Sequence, residues 1–119
     1  MFALDVEALV APGVTFFACR SAGEVLGVGA LKDLGAGEAE LKSMHTAEAA
    51  RGRGVARALV DHMVRFAREQ GVGRVSLETG AQDAFAPARA LYTAAGFEPC
   101  GPFGDYPDSG HSAFMTREL

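Results

Sequence analysis

Arg51-Gly52-Arg53-Gly54-Val55-Ala56 opens the longest periodic stretch of the chain, which runs from Gly54 to Gly71. Within it, Val55, Leu59, Met63, Phe66 and Gln70 fall on one stripe, with Ala56, Val60 and Ala67 beside it. Apolar residues recurring at i, i+3 and i+4 mark an amphipathic helix. Arg57, Asp61, Arg65, Arg68 and Glu69 fall away from the stripe, and Gly71-Val72-Gly73 provides the glycines expected past a helix end. His62, next to Asp61, reads as a solvated helix residue. A helix N-terminus exposes unpaired N–H groups and a partial positive charge, so it attracts anions. Gly52 and Gly54 let the backbone approach a diphosphate, and Arg51 and Arg53 add cationic donors. On spacing alone the segment is either a phosphate-binding loop or a glycine-rich connector with no ligand. A Rossmann fingerprint needs a third glycine where Arg57 stands, and a P-loop needs Gly-Lys-Ser/Thr, which is absent.

Outward from this helix the period changes to two. Upstream, Val14–Arg20, Val25–Leu31 and Glu38–Thr46 read as three strands of an antiparallel meander, with turns at Ser21–Glu24 and Leu34–Gly37. Gly27 and Gly29 within the second of these point to a bulge or a close packing partner. Asp5–Val10 is expected to form a short helix ended by Pro12-Gly13. Downstream come a strand at Arg74–Thr79, a shorter helix at Pro87–Ala95 stopped by Gly96, a strand at Phe97–Cys100, a turn-rich loop at Gly101–Gly110 and a last strand at Ser112–Arg117. The expected order is β-β-β-α-β-α-β-β, an α/β fold with a mixed, mostly antiparallel sheet flanked by helices. At 119 residues the chain suits one domain, 1–119.

Composition removes several function classes. A net charge of −4 with no basic patch argues against nucleic acid as a partner. No apolar run reaches membrane-spanning length, and Met1-Phe2-Ala3-Leu4-Asp5 lacks the basic and apolar regions of a signal peptide, so a cytoplasmic location is expected. Cys19 and Cys100 have no metal spacing and read as two reduced, buried thiols; no metal is expected.

Three segments in register resemble the GNAT (GCN5-related) N-acetyltransferase family. Arg51, Gly54 and Ala56 match its pyrophosphate signature of Arg or Gln, two free positions, Gly, one free position, then Gly or Ala. The preceding strand Glu40-Leu41-Lys42-Ser43-Met44-His45-Thr46 and the A-x-x-L-Y-x-x-x-G-F element Ala88–Phe97 match at the expected distances. The match covers roughly residues 14 to 119, and Leu77-Glu78-Thr79 with Gly101–Tyr106 and Ser112–Met115 resembles a bacterial, YsnE-type subgroup. The resemblance implies an acetyltransferase using acetyl-CoA and a primary amine acceptor of a small molecule or peptide. It implies that amides of Arg51, Gly52, Arg53, Gly54, Val55 and Ala56 hold the CoA diphosphate. It implies that the backbone of Met44, His45 and Thr46 pairs with the pantetheine arm, and that Tyr92 protonates the departing thiolate.

The amine must lose a proton, and Glu40, Glu78, Glu38 and His45 are the candidate bases, with Glu40 preferred and a water relay as the alternative. Strand alternation is expected to put Glu38, Glu40, Lys42 and Met44 on one face and Leu41, Ser43 and His45 on the other. Glu78, Asp105 and Tyr106 are candidate acceptor contacts, and Asp108 and His111 lie in or beside the same late loop. A non-catalytic acyl-CoA-binding module is the competing reading. Two features depart from the family pattern. The chain enters almost directly at what resembles the family's second strand, either as a truncation or with a partner subunit supplying the missing roof of the acceptor site; the exposed first strand would be an unpaired edge, which is compatible with a homodimer. Phe85 stands where many members have an Asn that contacts CoA.

Overall fold

The computed structural model describes residues 3–119. A single seven-stranded sheet carries two helices. In chain order the elements are β1 (Asp5–Ala11), β2 (Val14–Ser21), β3 (Glu24–Gly35), β4 (Glu38–Thr46), α1 (Val55–Glu69), β5 (Arg74–Gly80), α2 (Ala86–Ala94), β6 (Glu98–Cys100) and β7 (Ser112–Glu118). The sheet order is β1-β2-β3-β4-β5-β7-β6. All neighbours are antiparallel except β4 and β5, which the α1 crossover joins in parallel. No helix among the described residues is long and apolar enough to cross a membrane.

One expectation fails at the start. Asp5–Ala11 is a strand, not a short helix, so the order is β-β-β-β-α-β-α-β-β. Pro12-Gly13, with Gly13 at φ +76°, folds the chain back so that Asp5 to Ala11 pairs with Arg20 to Val14. Six residues make a marginal helix on their own. The unpaired edge of β2 offers hydrogen bonds that local propensity does not match. β2 is therefore covered, and β1 is the outer edge, with Leu9 and Val10 exposed.

Both helices pack on one face of the sheet. Leu59, Val60, Met63 and Ala67 of α1 and Tyr92 of α2 are buried against Phe17, Leu31, Leu41, Val75, Leu77 and Met115. Each fully buried aliphatic side chain of this set contributes about 1.5–3 kcal/mol. Phe66 is only partly buried and Gln70 is exposed, so the buried stripe of α1 shifts toward Val60 and Val64. His62 is not simply solvated, because its ring meets the edge of Phe17 at 6.0 Å between centroids.

Gly27 and Gly29 explain how closely α1 approaches. A Cβ at Gly27 would lie 2.7 Å from Val55 Cγ1 and 3.0 Å from the His45 carbonyl oxygen. One at Gly29 would meet the Met44 and Met63 sulfurs at 2.6 and 3.0 Å. The first turn of α1 is thereby seated beside the end of β4.

The opposite face, here the far face, carries Phe16, Ala30, Lys42, Glu40, Ser76, Glu78, Phe114 and Thr116 in cross-strand register. The late loop crosses part of this face. Its Phe103 packs edge-on against Phe114 and Tyr106, and Tyr106 packs tilted against Phe114, with centroids 5.3–5.8 Å apart.

Candidate active site

Strands β4 and β5 pair only from Glu38↔Arg74 to Leu41↔Leu77 and then part. Beyond that point the edge of β4 facing β5 has no strand partner. A cleft of about 580 Å³ fills the gap, lined by Leu41, Lys42, Ser43, Met44, Glu78, Thr79, Gly80, Gln82, Phe85, Ala88, Tyr92, His111 and Ser112. Parallel strands about 4.8 Å apart that diverge leave free backbone N–H and C=O groups, which an extended ligand can pair like an added strand.

A β-bulge sits at the lip of the cleft. Val28 pairs with His45 and Ala30 with Lys42, so Gly29 alone faces both Ser43 and Met44. Ser43 has φ +58°, an uncommon conformation for a residue with a Cβ. The extra residue flips the alternation. Met44 therefore does not share a face with Glu38, Glu40 and Lys42. It turns to the helix face, where its sulfur lies against Gly29 beside Met63.

The result is a cleft with unlike sides. On the helix side stand Leu41, Met44, Ala88 and Tyr92. Tyr92 is 7% exposed, and burial pushes its phenol above the ordinary value of 10. It is therefore protonated throughout the neutral range. On the far side stand Lys42 of β4 and Glu78 of β5, with Ser112 Oγ donating to Glu78 Oε2 at 2.6 Å and exposed His111 at the rim. Phe85 lies on the backbone of Gly80, where any Cβ would overlap its ring. Arg89 holds the turn between them by donating to the carbonyls of Gly80 and Gln82 at 2.6 and 2.9 Å.

Glu40 lies two residues behind Lys42, in the Glu40–Ser76 pair, outside the cleft lining. It is only 4% exposed and accepts a 2.5 Å hydrogen bond from the Tyr106 hydroxyl. That bond, with smaller contributions from burial and from the Glu40 and Glu78 charges, pushes Tyr106 up to about 12. Glu38, Asp105 and Asp108 are exposed and do not line the cleft.

The Arg51–Ala56 loop precedes α1. Gly52 and Gly54 have φ of +77° and +78°, and nothing lies within 4 Å of where their Cβ atoms would be. Closely spaced left-handed glycines are a backbone arrangement that in other proteins forms anion-binding concavities. Arg51 and Arg53 are exposed and form no ion pair among the described residues, so both are available to phosphate oxygens. Exposed His45 and half-buried Thr46 continue β4 toward this loop. Val55, at the start of α1, and the His45 carbonyl both lie close against Gly27, so the loop before α1 is seated beside the end of β4. Cys19 is buried beneath this region with its thiol pushed up by burial, whereas Cys100 is only half-buried.

A groove of similar size at the far end of α1, between Val14, Leu31, Phe66 and Val72, has Asp33 as its one titratable residue. That carboxylate accepts the Gly35 N–H at 2.8 Å. The chemistry-bearing side chains collect in the β4–β5 cleft instead. Sequence reading alone named Met44, Glu78, Tyr92 and His111 among the lining. It gave no site role to Lys42, Ser43, Gly80, Gln82 or Ser112. No local signal betrays the bulge, because Ser43 is not a residue that usually takes positive φ.

Known proteins resemble this chain in sequence and in fold. The uncharacterized N-acetyltransferase YsnE of Bacillus subtilis (strain 168) is 42% identical over 117 residues, covering 98% of this chain and 78% of that protein. The uncharacterized N-acetyltransferase YedL of Escherichia coli (strain K12) is 42% identical over 117 residues, covering 98% of this chain and 74% of that protein. A crystal structure of a GNAT family acetyltransferase from Elizabethkingia anophelis with acetyl-CoA bound shares the fold, with a TM-score of 0.81 at 14% identity over 98% of both chains. Residues 2–97 match the family described as the acetyltransferase (GNAT) family, and with relatives this similar over almost its whole length the chain belongs to that family.

Proposed function

We propose that this single domain, residues 1–119, moves an acetyl group from acetyl-CoA directly to a primary amine of a small molecule or peptide. The observation that carries this reading is the two-sided cleft where β4 and β5 part, lined by residues 41–44 at the β4 end that leads toward the loop before α1. Relatives named N-acetyltransferases, and a neighbour holding acetyl-CoA, support it.

Acetyl-CoA supplies the activated acyl thioester. The amides of Arg51–Ala56, with Arg51 and Arg53, hold its diphosphate, and the free edge of Met44, His45 and Thr46 pairs with the extended arm. A fixed amide at the bulge, aimed at the thioester oxygen, stabilises charge as it develops there. The amine enters from the far side between Lys42 and Glu78. Its nitrogen bonds to the acyl carbon, the C–S bond breaks, and Tyr92 gives its proton to the leaving sulfur. Glu40, set behind the lips, takes the amine's proton through water in the mouth. Glu78 and Tyr106 contact the acceptor, and exposed Asp105 adds negative charge along its approach.

Native mass spectrometry with and without acetyl-CoA tests the cofactor site, and release of free thiol in the presence of amines tests transfer. One acetyl-CoA per chain is expected in wild type, and markedly less in Gly54→Val, whose side chain would stand before the amides. Binding without thiol release toward any amine would favour the non-catalytic acyl-CoA-binding module. The same spectra report whether two copies associate, which we propose through the exposed edge β1. A cytoplasmic location completes the proposal and is read from fractionated cells.

A further inference from the structure

The far side of the cleft holds one unpaired cation and one carboxylate on opposite lips. Leu41↔Leu77 is the last β4–β5 pair, so Lys42 and Glu78 are the residues that next face each other as the strands part. Both point to the far face, because Glu40 and Ser76, two residues earlier, form a pair there. Both line the cleft. Lys42 forms no ion pair among the described residues, although Glu40 and Glu78 flank it. The Glu40 carboxylate is engaged by Tyr106, and Glu78 takes a hydrogen bond from Ser112. His111 at the rim and Tyr92 on the helix side are the remaining titratable groups that line the cleft.

Each simple amine class leaves something unmatched here. A plain alkylamine filling the mouth would strip water from Lys42 and give it no partner, which is costly. A polyamine would bring a second cation toward Lys42. A ligand carrying an ammonium and a carboxylate a few bonds apart satisfies both lips at once. Two oppositely charged hydrogen-bonding groups placed across a narrow gap also fix orientation, because a reversed ligand meets like charges on both sides.

Resting on the acetyl-transfer reading above, we propose that the acceptor is a small amino acid, whose amino group is received at Glu78 and whose carboxylate is received at Lys42. The amino group passes its extra proton to Glu40 through water in the mouth and enters between the lips; as its nitrogen bonds to the acyl carbon and the C–S bond breaks, Tyr92 protonates the sulfur and the second nitrogen proton leaves to water. The carboxylate stays on the far face, held by the Lys42 ammonium.

The test compares acetylation of alanine and phenylalanine with that of their carboxamides and of ethylamine and phenethylamine. Wild type, Lys42→Met and Lys42→Arg are measured with each. The readout is the ratio of kcat/KM for acid over carboxamide, because comparing that ratio between variants cancels intrinsic differences in amine basicity. In Lys42→Met the ratio is expected to fall by about tenfold or more, mainly through KM for the acid, as loss of one charge-assisted contact predicts. Lys42→Arg keeps the charge and should hold the ratio within about threefold of wild type. Acetyl-CoA binding by native mass spectrometry verifies that each variant is folded. An unchanged ratio in Lys42→Met overturns the assignment. So does a wild-type enzyme that binds acetyl-CoA yet acetylates none of the amino acids. A wild-type chain that fails to bind acetyl-CoA overturns the acetyl-transfer reading itself, and the amino-acid assignment with it.

Discussion

Glu40→Gln isolates the contact that joins the late loop to the sheet. The chain has two tyrosines and no tryptophan, so phenolate absorbance in the near ultraviolet reports Tyr92 and Tyr106 alone. Tyr106 titrates at about 12, and the largest cause is its hydrogen bond to the Glu40 carboxylate. The amide in Glu40→Gln can still accept that bond but carries no charge. The Tyr106 midpoint should then fall by more than about one unit toward the ordinary value of 10. Burial and the charge of Glu78 hold it somewhat above that value. Tyr106→Phe leaves a single transition and so assigns the two phenols. A pKa raised in the folded state gives stability that is whole below pH ~10 and is lost as pH rises through about 12. Two units would correspond to at most about 2.7 kcal/mol, and screening at this partly exposed phenol reduces that to about 1 kcal/mol. Wild type should therefore lose stability more steeply than Glu40→Gln between pH ~10 and ~12, as followed by circular dichroism alongside the absorbance. An identical Tyr106 midpoint in wild type and Glu40→Gln would show that the two groups do not meet in solution.

Three further outcomes follow from the cleft and its supports. Tyr92→Phe should lower kcat by about a hundredfold or more while acetyl-CoA affinity, measured by calorimetry, stays near wild type; equal losses in both would reduce Tyr92 to a packing residue. Gly27→Ala puts a methyl against Val55 and the His45 carbonyl, which cannot both give way. It should cost about 1–3 kcal/mol in denaturant unfolding and weaken acetyl-CoA binding as α1 moves off β4. Gly80→Ala must displace the Phe85 ring, and the expected result is a raised KM for acetyl-CoA with little change in global stability. A KM like that of wild type would remove Phe85 from the cofactor track.

The sequence made the long helix and the loop before it readable because both depend on short spacings. The stripe of Val55, Leu59 and Met63 and the glycines at 52 and 54 lie within a few residues of one another. Gly27 and Gly29 also announced a close partner, and α1 is that partner. What stayed hidden depends on distant pairing. Asp5–Ala11 has a composition that suits either state, and β2 decides for strand. The flip of Met44 requires one surplus residue against Gly29, which no local pattern around Ser43 signals. The contact between Tyr106 and Glu40 joins residues 66 positions apart, and only the folded late loop brings them together.

The pairing of β4 with β5 has a mechanical consequence. It is the one junction between two half-sheets, β1 to β4 on one side and β5, β7 and β6 on the other. Four residue pairs make that seam, and past Leu41 and Leu77 it stands unzipped. A strand-like ligand that pairs with the free edge of β4, as proposed, would also lie against Glu78, Thr79 and Gly80 of β5 and so span both halves. Occupancy should then act on the whole sheet as a clasp does, so that the two halves unfold more nearly together and at a higher temperature when the gap is filled.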